Sequence, residues 1–198
     1  MTQEAIIAVS WWMILPLGIF GSLLHFLFDW TGHSRWAAIF SAVNESYWEH
    51  IKIAITPVAL LQVILFAAGG HRYPAFVPAA TIALYSLPIS MVALVFAYKR
   101  FTRRNILWLD IAVFFVIIAV AQVLFVLFLE ELAATWPTIV LAALFLAALL
   151  VALLRFTLRP PNEPDAFIDP INQLYGLSAH PDIDDARGGK ARSADVDP

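Results

Sequence analysis

The side chains able to do chemistry crowd into the 28 residues from His25 to Lys52, which hold His25, Asp29, His33, Arg35, Asn44, Glu45, Glu49, His50 and Lys52. His25 and Asp29 are four residues apart, so on one helix they share a face, and the carboxylate can fix the imidazole's tautomer or raise its basicity. Glu45 and Glu49 repeat that spacing, and Lys52 follows Glu49 by three. Two carboxylates one turn apart repel when both are charged. A base, a histidine across the helix pair or a bound cation must therefore compensate them.

This set offers three kinds of chemistry. His25, Asp29, Asn44, Glu45, Glu49, His50 and Lys52 could bind a cation or a small polar or lipid-derived ligand, and move or sense it. His25, Asp29, Glu45, Glu49 and His50 are imidazole and carboxylate groups of the kind that hold a divalent metal or act as a general base. That would suit an interfacial metal-assisted hydrolase or lipid-modifying enzyme. The same groups could instead close on one another as a polar clasp in a structural membrane subunit. Glu45 near a helix start suits the helix dipole, and Lys52 could extend its ammonium to the interface. Glu49, a turn deeper, depends most on its neighbours for its charge. The sequence contains no H-E-x-x-H, and its inverted form fails at Ser46. It also lacks a G-x-S-x-G elbow and a phosphate-binding Walker loop. His71 and His180 read as solvent residues, and Gln62 and Gln122 as inter-helix hydrogen-bonders.

The elements that position these groups must be membrane helices. Of the 198 residues 61% are hydrophobic and 14% charged, against roughly 45–50% and about 25% in soluble domains. A net charge of −3 leaves no basic footprint for nucleic acid, and the absence of cysteine excludes disulfides and thiolate chemistry. About 20 apolar residues cross a bilayer, and five stretches qualify: Ile6–Phe28, Ile51–Ala68, Phe76–Tyr98, Ile106–Leu129 and Pro137–Leu158. Pro16, Pro57 and Pro88 fall inside spans and tend to kink them. The last span, almost wholly Ala, Leu, Val and Phe, reads as a wall facing lipid. The expected fold is all-α, an integral membrane bundle of five transmembrane helices over residues 1–159. The surroundings are the lipid bilayer of a cell (cytoplasmic) membrane, with a homo-oligomer or a membrane partner subunit compatible with such a bundle.

Residues 160–177 read as an ordered cytoplasmic segment docking on the bundle. Residues 178–198 read as a disordered acidic tail, since from 160 onward eight acids face three bases and little apolar remains to bury.

The run Asn44-Glu45-Ser46-Tyr47-Trp48-Glu49-His50-Ile51-Lys52 resembles the N-E-S-x-W-E-H-x-K signature of a family of small bacterial multi-pass membrane proteins of unknown function. Gly21–Trp30 and the D-P…Y-G element at Asp169-Pro170 and Tyr175-Gly176 are similar to that family too. The resemblance covers roughly residues 15–177. It implies the topology, the location of the site and an ordered stretch over 165–177, but no substrate.

Basic residues favour the cytoplasmic side of short loops. Lys99, Arg100, Arg103 and Arg104 follow the third span, Arg155 and Arg159 close the fifth, and Glu130 and Glu131 separate the fourth from the fifth. The expected orientation is N-out and C-in. A reporter fused after Arg104 or Arg159 should read cytoplasmic and one after Glu131 external; reversal of both readouts would move the polar cluster to the outer face.

Overall fold

The computed structural model describes residues 1–104, 106–161, 165–171 and 173–180. Among these, the regular structure is helical, with one isolated antiparallel bridge between Ile168 and Tyr175. The eight α-helices are α1 (Gln3–Trp12), α2 (Ile14–Leu24), α3 (Leu27–Trp30), α4 (Arg35–Phe40), α5 (Tyr47–Ala67), α6 (Phe76–Thr102), α7 (Leu107–Glu131) and α8 (Trp136–Leu158).

Helices α5, α6, α7 and α8 are each long and apolar enough to cross a membrane, and α1 with α2 passes as a fifth, bent span. The 53° bend between α1 and α2 has an identifiable cause. Pro16 supplies no N–H, and its ring crowds the carbonyl four residues back, on Trp12, the last residue of α1. Pro57 and Pro88, by contrast, lie within the continuous helices α5 and α6. The first span, expected to run to Phe28, stops at Leu24. His25 and Phe26 form a turn, and the single turn of α3 follows.

The chain divides into two compact units, Met1–Leu23 with Ala54–Leu150, and Leu24–Ile53 with Val151–Pro198. In the first, α6 packs along α7 around Ala79, Ala83, Leu87, Ile117, Ile118, Ala121 and Phe125, all buried. Small residues on α6 let the two backbones approach, as membrane packing requires. Thr81 and Tyr85 on α6 donate to the carbonyls of Ala142 and Phe145 on α8, at 3.3 and 2.9 Å. Gln3 on α1 donates to Leu129 O on α7 at 3.1 Å. Gly18 on α2 abuts the ring of Phe115 so closely that a Cβ there would fall 2.3 Å from it. Much of α8 presents apolar side chains outward, including Leu141, Leu144 and Phe145, as a helix facing acyl chains would. Asp110 on α7 accepts a hydrogen bond from the Tyr98 hydroxyl on α6.

The second unit carries the polar cluster around a small core of Phe28, Ala37, Ala38 and Val43, against which Leu27 and Leu177 pack. Short 3₁₀ turns at Asp165–Phe167 and Gly176–Ala179 complete it. The expected acidic tail begins at 178, yet Ser178 and Ala179 belong to the second turn; residues 181–198 lie outside the described residues.

Candidate functional site

Three carboxylates of the cluster sit in three different environments. Glu49 is 2% exposed and Lys52 0%, with Lys52 Nζ 2.6 Å from Glu49 Oε2. That same oxygen accepts from Val43 N at 3.0 Å, and Lys52 Nζ donates to Ala38 O at 2.7 Å. A buried ion pair persists only where further hydrogen bonds occupy its remaining polar atoms, and here the backbone of the connection before α5 supplies them. The expectation that Lys52 reaches out to the interface is therefore corrected. Its partner and the Ala38 carbonyl hold it inside.

The start of α5 shows why Glu49 is available. Ser46 Oγ accepts from Glu49 N at 3.4 Å as the helix cap, and Asn44 Oδ1 accepts from Ser46 N at 2.9 Å. Ser46 and Glu49 have capping-box spacing, in which the acid usually reaches back to the cap's own N–H. Asn44 already occupies that N–H, and the Glu49 carboxylate turns to Val43 and Lys52 instead. Ser46 thus caps the helix. Glu45, expected near the helix start, lies just before α5.

Glu45 is half-buried and meets two histidines with its two oxygens: Oε1 is 3.1 Å from His25 Nε2 and Oε2 3.7 Å from His50 Nε2. The two rings lie 5.5 Å apart. His50 Nδ1 is bonded to Ser46 O at 2.9 Å, which orients its ring. His25 lies past the end of α2, and Glu45 lies before α5. The hydrogen bond to Glu45 holds His25 above its ordinary value of 6.5 against the opposing effect of burial, with the charges of Glu45 and Asp29 adding to it. The reciprocal bond from His25 holds Glu45 below 4.5, again against burial, with the charges of His25 and His50 assisting.

Asp29, the third carboxylate, also meets two histidines. Its Oδ1 lies 2.8 Å from His180 Nε2 and 3.5 Å from His33 Nε2. Gly32 ends this turn in the left-handed region, with Gly32 N bonded to Asp29 O and His33 N to Phe28 O. That is a Schellman ending. His33 is itself at φ +62°, an uncommon conformation for a residue with a side chain. His180, read from sequence as a solvent residue, is 8% exposed and packs beside Phe28. It follows the 3₁₀ turn at Gly176, whose carbonyl accepts from Asn44 Nδ2 at 3.0 Å.

His25, Phe26, Asp29, Ala42, Val43, Asn44, Glu45, Asp169, Ile171 and His180 line a cleft of about 250 Å³. Asp169 is buried in its wall, accepting from Ile171 N at 2.7 Å and Glu45 N at 3.5 Å. The five residues read as a metal set therefore divide. His25, Glu45 and His50 form one group, Asp29 joins His33 and His180, and Glu49 faces Lys52.

A sequence model described as "Family of unknown function (DUF6512)" matches residues 1–177. The chain belongs to that family. No curated protein and no solved structure matches it. The DUF6512 match takes in every residue of the three clusters except His180, three positions beyond its end.

Asp169 and His180 were not foreseen as site residues. Asp169 stood in the D-P…Y-G element and could have been flagged there. His180 carried no signal, because its partner Asp29 is 151 residues away. Gln62 and Gln122, read as inter-helix hydrogen-bonders, are buried with side-chain amides that find no partner among the described residues.

The His25–Glu45 pair carries a pH signature. A raised histidine stabilises fully below 6.5 and loses its effect as pH rises through its folded value. A lowered carboxylate stabilises above 4.5 and loses its effect as pH falls through its folded value. The stability difference between the wild-type chain and His25→Gln should thus be largest between pH 4.5 and 6.5, at about 1 kcal/mol or less for groups this exposed. Detergent melting curves across pH check it, and a difference that stays flat from acid to alkaline would contradict the pairing.

Proposed function

We propose that this multi-pass membrane protein binds a small cation in the cleft between Asp29 and Glu45, and that binding, or movement of the cation through the site, is its function. The observation that carries this reading is the cleft itself: three carboxylates (Asp29, Glu45 and Asp169) and two imidazoles line about 250 Å³. Carboxylates outnumber imidazoles in that wall, so a cation is the complementary occupant. The volume is below the usual ~300–1,000 Å³ of pockets for drug-sized ligands. It suits a hydrated metal ion or a small ammonium headgroup. Ionisable groups associated with membrane helices are costly unless paired or hydrated, and typically mark ligand pathways. The basic loops favour an N-out, C-in orientation, which would open the cleft to the cytoplasm. Asn44 contributes by tying the Gly176 turn to the cleft wall, and Glu49 with Lys52 by holding the connection that forms its other side.

Purified full-length protein should be titrated calorimetrically with ethanolamine, choline, Mg²⁺ and Zn²⁺. At least one should bind saturably, and the double variant Asp29→Asn/Glu45→Gln should weaken it about tenfold or more, since a hydrogen bond to a charged group contributes ~1.5–3 kcal/mol. Failure of all four to bind, or equal binding by the double variant, would overturn the reading.

A further inference from the structure

We propose that Asp29, His33 and His180 form a binding site for a divalent first-row transition metal of the Zn²⁺ class; the proposal rests on the cation-binding reading of the cleft and names the cation. The three side chains each offer one ligand atom, and these atoms all lie within 4.8 Å of one another. Two of the separations are 2.8 and 3.5 Å, both to Asp29 Oδ1. Zinc takes nitrogen and oxygen ligands at ~2.0–2.2 Å, which puts neighbouring donors of a tetrahedral site roughly 3.3–3.6 Å apart. The present spacing, from 2.8 Å to at most 4.8 Å, brackets that value.

The donor set decides the class of metal. Two imidazoles and one carboxylate suit Zn, Fe, Ni or Cu, whereas Mg²⁺ and Ca²⁺ prefer all-oxygen sites. Three protein ligands leave a tetrahedral ion one position for water or a bound molecule. Asp29 and His180 are also lining residues of the cleft, so that position is adjacent to it.

The imidazoles are held rather than loose. Phe28 packs beside both, with ring centroids 5.1 Å from His33 and 5.0 Å from His180, while the two imidazoles are 4.5 Å apart. The left-handed backbone at His33 sets its ring toward Asp29. His180 is anchored through Gly176, at φ +57°, where a Cβ would meet Pro160 at 2.9 Å. Asp29 is exposed enough, at 52% of its side chain, to admit an ion from water. Asn44, which holds the Gly176 carbonyl, acts as a positioning residue for His180.

The experiment is titration of chelator-stripped, full-length protein in detergent with Zn²⁺, followed by Co²⁺, whose visible absorption reports its coordination. One equivalent should bind per chain. His33→Asn, chosen because Asn tolerates the left-handed backbone, and His180→Gln should each weaken binding at least ~10-fold. His71→Gln, outside both the ligand set and the cleft lining, should leave it within about twofold. Should either triad variant fail to fold, wild-type protein provides the second readout: Zn²⁺ should protect His33 and His180, and not His71, from diethylpyrocarbonate. Retained affinity in both triad variants, absent protection, or loss of affinity in His71→Gln would overturn the assignment. Binding of ethanolamine or choline without Zn²⁺, or of Zn²⁺ through His25 and Glu45, would sink the triad while leaving the cation-binding cleft standing. Binding of no cation would sink both.

Discussion

The buried pair of Glu49 and Lys52 is the constraint on which the polar unit depends. Each charge would be prohibitively costly alone in an apolar interior. Together they are held where the chain from Ala38 to Val43 folds back to present a carbonyl and an N–H to them. The pair thus clips that connection to the first turns of α5. Asn44 and Glu45 follow directly, so their positions are inherited from the clip. Through Asn44 the same constraint reaches Gly176 and, four residues on, His180.

A division of labour among the carboxylates follows from their solvation. Glu49 Oε2 is engaged by Lys52 and the backbone, and the buried side chain has no water-facing side from which to meet a ligand. Glu45 and Asp29 are each partly exposed and each faced by two histidines. Their oxygens therefore remain within reach of water, unlike those of Glu49. Sequence spacing placed Glu45 and Glu49 on one stripe. The cap at Ser46 separates them, because the chain before a helix start does not follow the helical period.

Composition and hydropathy made the membrane class and the apolar segments legible, and the concentration of ionisable side chains made the site region legible. A histidine across the helix pair was one of the compensations read for Glu45 and Glu49, and His25 meets Glu45 in that way. The turn at His25 and Phe26 was not legible, because no proline or glycine marks it. The break after Trp12 could be anticipated only as a kink near Pro16. His180 escaped because a 3₁₀ turn in a polar segment leaves no periodic signature, and its partnership with Asp29 is long-range. Lys52 escaped for an energetic reason. Extension to the interface is the usual solution for a lysine near a helix end, and only the folded connection offers it a better one.

The most direct test is a double-mutant cycle on Glu49→Gln and Lys52→Met, measured by reversible unfolding in detergent. If the pair is the clip, each single variant strands a buried polar partner and loses about 3–5 kcal/mol. The double variant should then lose far less than the sum, because it removes both charges together. Small and additive losses would contradict the account and would mean that the connection before α5 is held by something other than this pair.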